Sequence, residues 1–204
     1  MDIKAINQLV DEEWQLFRRT KNIGGRAACQ DDYPTFFIMR TAQMLALNDE
    51  IVESCIKDIR DAVSEGRNPI AEKYAHMMQF TDFPEYFRLA FVLPVISSEK
   101  SELVRRIVDK TVAWTEEAQK KYPHIAGNGR FIHAYEDSFS ETSVETYCYG
   151  EMVTHSIETL RLIDDYYTEL SKDGRNIWIM TQDYLVKMLG HSSLDDAEAQ
   201  LKGM

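Results

Sequence analysis

The sequence contains no run of about 18 consecutive apolar residues, which is close to the shortest stretch that spans a membrane as a helix. Cations are also scarce: 23 lysines and arginines stand against 34 aspartates and glutamates, for a formal net charge of −11. Nucleic acids and anionic membranes repel a chain with this charge. We therefore expect no membrane-spanning segment and no nucleic-acid partner.

Cysteine is rare as well, because the chain has only Cys29, Cys55 and Cys148. An odd number of cysteines at such wide spacing matches neither a disulfide framework nor a zinc-ligand pattern. Reduced thiols are typical of cytoplasmic proteins. The N-terminal stretch MDIKAINQLVDEEW is amphipathic and acidic, which does not match a signal peptide. The expected location is therefore the cytoplasm.

No stretch of any length alternates apolar and polar residues as a half-buried strand does. Apolar residues recur instead at steps of three and four, which is the helical period. Hydrophobic residues make up 44% of the chain, enough to form a core. The sequence predicts an all-α fold: a single bundle-like domain over residues 1–204 with five to six main helices.

The clearest periodic stretches predict helices over residues 2–19, 35–65, 97–121, 144–171 and 177–189. Shorter helical pieces are expected over residues 70–92 and in the tail sequence SSLDDAEAQL.

Two polar segments that contain glycine interrupt this pattern: residues 22–34 (NIGGRAACQDDYP) and residues 125–143 (IAGNGRFIHAYEDSFSETS). Each directly precedes a predicted long helix. The N-terminus of a helix presents free backbone amides and the positive end of its dipole. We therefore expect the two segments to approach each other and to build one polar pocket.

Several motifs together resemble a known family. They are EW at 13–14, N-x-GGRAACQDD-x-x-TFFIMR-x-AQ at 22–43, EKYAHMM at 72–78, TSVETY-x-x-GE at 142–151 and TLRL at 159–162. In this order, and over nearly the whole chain, they resemble the bacterial domain-of-unknown-function family numbered 4125. The resemblance implies a bacterial, soluble, single-domain protein, and it implies no particular reaction.

Arg26 and Arg40 are the candidate anion-binding residues. Gly24 and Gly25 allow a tight loop before Arg26. Gln43, a candidate ligand contact, lies one turn after Arg40 on the same helix face. Two interpretations remain open. The two arginines form a clamp for the carboxylate or phosphate of a small ligand, or Arg40 pairs internally with an aspartate of the first segment and fixes the loop.

Cys29, Gln30, Asp31 and Asp32 come directly before the helix that Pro34 begins. One aspartate is expected to cap that helix, and the pair supplies a candidate general acid or base. Cys29 and Gln30 are candidate ligand contacts. The adjacent carboxylates oppose formation of a thiolate, so we do not expect Cys29 to act as a nucleophile.

A second group of candidates follows residue 143. Glu145 and Glu151 are candidate catalytic carboxylates, and Tyr147 is a candidate ligand contact. Glu151 and His155 are four residues apart and share one helix face, which makes them weak metal candidates. The Glu-x-x-His pairs of metal-binding bundles are absent from the sequence. We therefore predict no metal site, and no cofactor is indicated.

Two hypotheses for the function remain. The chain is an enzyme that acts on a small polar metabolite carrying a carboxylate or an amine, or it is a non-catalytic helical module that binds a ligand or a protein. In the second case the cluster of arginines and aspartates is structural. The sequence does not decide between them, and it does not indicate an oligomeric state.

Overall fold

The computed structural model describes residues 2–22, 24–139 and 141–203. Within these ranges the chain has no strand, so the predicted all-α class is confirmed. The same ranges contain eleven helices, and the predicted five to six main helices were therefore too few. Their bounds are α1 Ile3–Phe17, α2 Tyr33–Leu45, α3 Asp49–Ser64, α4 Pro69–Thr81, α5 Phe83–Leu89, α6 Ser98–Lys121, α7 Pro123–Gly127, α8 Val144–Met152, α9 Ile157–Lys172, α10 Ile177–Met188 and α11 Leu194–Lys202.

Two long helices that the periodicity predicted as continuous are each divided in two. The stretch 35–65 is broken where Asn48 accepts a hydrogen bond from the amide of Ile51 at 2.9 Å and starts α3. The stretch 144–171 is broken where Ser156 accepts from the amide of Thr159 at 3.2 Å and starts α9. These side chains satisfy backbone donors that would otherwise lack partners at the new helix starts.

The apolar faces of seven helices form the main core: α1, α2, α3, α6, α8, α9 and α10. Helix α6 packs against α8, α9 and α10, while α1 packs against α2, α3 and α4. Helix α4 packs on α8, and α10 packs on α2. Fully buried side chains at the centre include Leu9, Ile51, Ile107 and Leu160. This arrangement leaves a space between α2, α6, α8 and α10.

A helix that crosses a membrane must be long and apolar, and the helices of the described ranges can be compared with that requirement. None of them combines the length and the apolar character that crossing a bilayer requires.

His76 is a polar side chain enclosed within this fold. It lies on α4, is only 3% exposed, and its Nδ1 atom has no hydrogen-bond partner among the described residues. Burial lowers the pKa of His76 to about 4, and the positive charge of Lys100 adds to the effect. The folded protein therefore holds His76 neutral at pH values where the unfolded chain is already protonated.

We expect this burial to make stability depend on pH. The pKa of an unfolded histidine is about 6.5, so between about pH 6.5 and 4 the unfolded state binds more protons and the free energy of unfolding falls as the pH falls. Replacing His76 with leucine should reduce this loss. Urea unfolding of the wild type and of His76→Leu at pH 7 and pH 5 measures how much the free energy of unfolding falls. An equal fall in the two proteins would contradict the claim that His76 causes it.

Candidate ligand-binding cavity

The first polar segment is organised around the buried side chain of Gln30. Its amide nitrogen donates to the carbonyl oxygens of Phe17 at 2.8 Å and Thr20 at 2.7 Å. Its amide oxygen accepts from the side chain of Asn22 at 2.8 Å and from the backbone amide of Ala27 at 3.0 Å. Carbonyl groups at the end of a helix lack partners within the helix. Gln30 therefore closes the C-terminal end of α1.

Arg26 and Asp31 form an exposed ion pair in the same segment. The guanidinium of Arg26 donates to both carboxylate oxygens of Asp31, at 2.6 and 2.8 Å, and to the carbonyl oxygen of Arg18 at 2.8 Å. Asp32 caps α2 by accepting from the amide of Thr35 at 3.1 Å. Cys29 is exposed in a short 3-10 turn beside them. The side chains of Arg26, Gln30, Asp31 and Asp32 are thus all engaged within the segment or at a neighbouring helix end.

The interpretation in which Arg40 pairs with Asp31 or Asp32 is wrong, because the partners of Arg40 come from elsewhere. The side chain is fixed in a bidentate pair with Glu13 on α1, at 2.5 and 2.6 Å. Its third nitrogen contacts Glu151 on α8 at 2.7 Å and donates to Gln43 at 2.5 Å. Glu13 and Arg40 face each other because their helices, α1 and α2, pack together.

Lys73 on α4 completes this network. Its ammonium group donates to the second carboxylate oxygen of Glu151 at 2.7 Å and lies 3.5 Å from the centre of the Tyr147 ring. The sequence analysis did not select Lys73. Its position carries a signal nonetheless, because Ile70 and Met77 lie three residues before and four residues after it, on the same apolar helix face.

Four charged side chains are therefore buried together, with two positive and two negative charges: Glu13, Arg40, Lys73 and Glu151. Burial acts to raise the pKa of Glu151, but Arg40 and Lys73 outweigh it and hold that pKa well below its usual range. Burial acts to lower the pKa of Lys73, but Glu151 outweighs it and the pKa is about 12. The formal charges of the two acidic and two basic groups cancel.

This network separates two cavities. The larger cavity has a volume of about 530 Å³, and the smaller one about 120 Å³. Arg40, Tyr147, Glu151 and His155 line both of them, whereas Lys73 lines only the smaller. The larger cavity is the space between α2, α6, α8 and α10, and most of its wall is apolar. Apolar lining residues include Met39, Met44, Leu47, Ile125, Ile132, Val144, Met152, Ile163, Ile177, Trp178 and Leu185.

The second polar segment contributes Arg130 to the larger cavity. One nitrogen of its guanidinium donates to the carbonyl oxygen and the hydroxyl of Thr142, at 3.0 and 2.8 Å, and its central carbon lies 4.7 Å from the centre of the Tyr147 ring. No carboxylate of the described residues lies within ion-pair distance of Arg130. The other charged groups of the wall have such partners.

The two segments therefore do not contribute equally to a pocket. Residues of the second segment line the larger cavity, while the described residues of the first line neither cavity. The predicted pocket with Arg26, Cys29, Gln30, Asp31 and Asp32 in its wall is not the arrangement seen. Its place is taken by Arg40, Gln43, Tyr147 and Glu151 from the original candidates, together with Arg130.

The helix N-terminus of α8 is also used internally. The amides of Val144 and Glu145 donate to the carbonyl oxygens of Phe131 and Ile132, at 2.8 and 3.0 Å. The carboxylate of Glu145 accepts from the amide of Ala134 at 2.7 Å. The first turn of α8 thus anchors the second segment, and its free amides are not available to a ligand.

Cys55 and Cys148 also line the larger cavity. Burial raises the pKa of Cys148 to about 12, and burial likewise raises the pKa of Cys55. Both groups are free thiols, and at neutral pH they remain protonated. They therefore act as small apolar side chains of the wall.

His155, the weak metal candidate, pairs with Asp58 instead. Its Nδ1 atom lies 3.2 Å from the carboxylate of Asp58, which also accepts from the amide of Ser156 at 2.9 Å. The carboxylate oxygens of Glu151 are occupied by Arg40 and Lys73. In the parts of the chain that the structure describes, no three His, Cys, Asp or Glu side chains form a group able to hold a metal ion.

The structure is thus that of an all-helical protein in which a buried ion network with balanced formal charges adjoins a largely apolar cavity. Residues 3–199 match the model of the family described as "Protein of unknown function (DUF4125)", and the chain belongs to that family. The resemblance carried by the motifs is thereby confirmed. No curated protein and no solved structure matches the chain.

Proposed function

We propose that the protein binds a small organic acid in the larger cavity, with the carboxylate at Arg130 and the apolar body against the cavity wall. The observation that carries this proposal is the lack of a carboxylate partner for Arg130. Arg40 and Lys73 already have partners in a network whose charges cancel. Arg130 therefore gives the wall a net positive charge, which favours an anion even though the whole chain is acidic.

The size and composition of the cavity support a small-molecule ligand. Its volume of about 530 Å³ falls within the range of about 300–1,000 Å³ that is usual for ligand pockets. Such pockets are mostly apolar and carry a few polar groups that fix orientation. Here the candidate orienting groups are Arg130, Gln43 and Tyr147, which all line the cavity. An amine-bearing ligand is less favoured, because both oxygens of Glu151 already accept from cations.

The same geometry supports binding more than acid–base or nucleophilic catalysis. Glu151 is held ionised by two cations, so it is a weak proton acceptor. The thiol of Cys148 is protonated at neutral pH. Asp31, Asp32 and Glu145 serve as ion-pair partner, helix cap and amide acceptor. The proposal is thus a ligand-binding module in which the Arg26–Asp31 pair is structural.

The composition of the chain extends the proposal to the setting in which it acts. The three cysteines are free thiols, which supports a reducing compartment such as the bacterial cytoplasm. The net charge of −11 disfavours nucleic acid as a partner.

Replacing Arg130 with glutamine tests the proposal directly. The probes are straight-chain and aromatic monocarboxylates, each compared with its primary amide and its amine of the same skeleton. We expect some carboxylates to raise the melting temperature of the wild-type protein, because a ligand at a hundredfold excess over its Kd stabilises by about 2.7 kcal/mol. Loss of a hydrogen-bonded charge costs about 1.5–3 kcal/mol, so calorimetry should show roughly 10- to 100-fold weaker binding to Arg130→Gln.

The matched control is Arg105→Gln, which removes an exposed arginine of α6 that pairs with Asp109 outside the cavity. It should leave carboxylate binding unchanged. Arg130→Lys keeps the charge and should bind with intermediate affinity. Stabilisation by the amines or amides rather than the carboxylates would refute the proposed ligand class.

A further inference from the structure

The segment from residue 80 to residue 95 is the most exposed apolar part of the described chain. It comprises the end of α4, helix α5 and the turn that follows, and we call it the aromatic segment. Phe83, Phe87 and Phe91 are spaced by four residues, so they form one row, and the rings of Phe87 and Phe91 are 5.6 Å apart. The exposed apolar side chains of the segment range in exposure from 43% at Phe80 to 94% at Val95.

The apolar area of this segment is large for a surface that stays in water. Four phenylalanines exposed to this extent present on the order of 500 Å². The largest apolar patch on a typical monomer is about 300–600 Å², and patches of that size are often functional. A stable interface buries about 800 Å² on each partner, of which about 65% is apolar in homodimers. The aromatic segment alone therefore supplies the apolar area that one half of a homodimer interface requires.

The charges of the segment fit a second copy of the same chain. Its only charged residues after Asp82 are Glu85 and Arg88, which pair with each other at 2.9 Å across one helical turn. Two copies of α5 packed antiparallel about a two-fold axis near Phe87 bring Glu85 of each copy beside Arg88 of the other. The surface is thus complementary to itself, as a two-fold interface must be. With Asp82 included, the segment carries a formal charge of only −1, so the net charge of −11 per chain opposes contact at this face less than elsewhere.

A lipid surface is a poorer match for the same row of side chains. Helices that lie on membranes carry many lysines and arginines on their polar face. Helix α5 has seven residues and one arginine. The acidic chain as a whole is repelled by anionic lipids.

We propose that the aromatic segment is the two-fold interface of a homodimer, with the α5 helices antiparallel. The proposal does not depend on the ligand proposed for the cavity. Helix α5 follows α4, the helix that carries Lys73, and Phe80 packs edge-on against Tyr149 of α8. The interface therefore lies beside the helix pair α4 and α8, which contributes Lys73 and Glu151 to the ion network.

Sedimentation velocity of the full chain at micromolar concentrations tests the interface. We expect the wild type to sediment as a dimer and Phe87→Glu to sediment as a monomer. Leu189→Glu is the matched control, because Leu189 is 59% exposed and follows α10, which packs on α2, α6 and α11 rather than on α5. It should remain dimeric. Circular dichroism and the thermal melt establish that each variant is folded.

A charge exchange tests the antiparallel geometry. Glu85→Arg should weaken dimerisation by about tenfold or more, because it places two arginines together across the interface. Adding Arg88→Glu should restore the dimer, since the exchanged charges again face their opposites. A monomeric wild type, a dimer that survives Phe87→Glu, or wild-type binding to anionic vesicles in preference to dimerisation would each overturn the proposal.

Discussion

Replacing Arg40 with alanine is expected to lower the free energy of unfolding by about 3–5 kcal/mol, which is the usual cost of removing one partner from a buried ion pair. The large effect follows from the carboxylates that remain. Glu13 is 6% exposed and Glu151 is 16% exposed. Without Arg40, Glu13 loses its bidentate partner and Glu151 keeps only Lys73. Denaturant unfolding at neutral pH measures the change.

The pH dependence of the Arg40 variant identifies the mechanism. Arg40 and Lys73 outweigh burial and hold the pKa of Glu151 well below its usual range. The stability that this group adds is therefore present above its unfolded pKa of about 4.3 and is lost as the pH falls towards the folded value. In Arg40→Ala, the carboxylates of Glu13 and Glu151 share only one cation, Lys73. Protonation of one of these carboxylates then removes the negative charge that has no compensating partner. The stability difference between wild type and variant should therefore shrink below about pH 5.

Two further variants separate charge from geometry. Arg40→Lys should fall between wild type and Arg40→Ala, because an ammonium group does not span both carboxylate oxygens of Glu13. Arg26→Ala is the matched control: it removes an equally bidentate pair, but one that is exposed to solvent at both partners. Exposed pairs contribute little. Equal losses for Arg26→Ala and Arg40→Ala would contradict the argument that burial decides the effect.

The sequence predicts the helices well where one apolar face continues, and less well where a cap interrupts it. Helix α1 and helix α6 lie where the periodicity places them. The breaks before α3 and α9 were missed because the apolar period runs through both. Asn48 followed by two acidic residues, and Ser156 followed by Glu158, are nevertheless N-terminal signals. Capping residues inside a periodic stretch therefore carry information that periodicity alone does not.

The sequence predicts part of the cavity wall for a clear physical reason. Arg40 and Gln43 lie on an apolar helix face, and a polar group there must find a partner when it is buried. Which partner it finds depends on helix packing. Glu13 and Lys73 lie 27 residues before and 33 residues after Arg40, and only the packing of α1 on α2 and of α4 on α8 brings them to the network.

The first polar segment shows the opposite error. Its glycines, Gln30 and two aspartates indicated a ligand site, but they close α1 and cap α2. Gly25 has a φ of +89°, which a residue with a side chain rarely adopts. An unusual loop composition can therefore indicate a backbone conformation that needs particular residues, and it does so as readily as it indicates a binding site. The two are distinguished by whether the polar atoms are already paired.

Helix α8 lies close against α4 at Gly150, next to Glu151 of the ion network, and we expect Gly150→Ala to lower the free energy of unfolding by about 1–3 kcal/mol. A Cβ atom at this position would lie 2.5 Å from Cγ of Met77 and 2.9 Å from the carbonyl oxygen of Lys73. Met77 has a flexible side chain, but the carbonyl belongs to the backbone of α4. The loss should occur although alanine favours helix over glycine by about 1 kcal/mol.

Two matched variants show whether the backbone contact is responsible. Gly127→Ala places the same methyl group on a helical glycine that has nothing within 4 Å, so it should be neutral or slightly stabilising. Gly150→Ala combined with Met77→Ala removes the side-chain clash and leaves the carbonyl contact. If the contact with the carbonyl oxygen displaces α4, this displacement remains in the double variant. Lys73 then moves away from Glu151, to which it donates at 2.7 Å in the wild type. Unfolding of Gly150→Ala that is indistinguishable from wild type would show that α4 and α8 have room to separate without loss of the network.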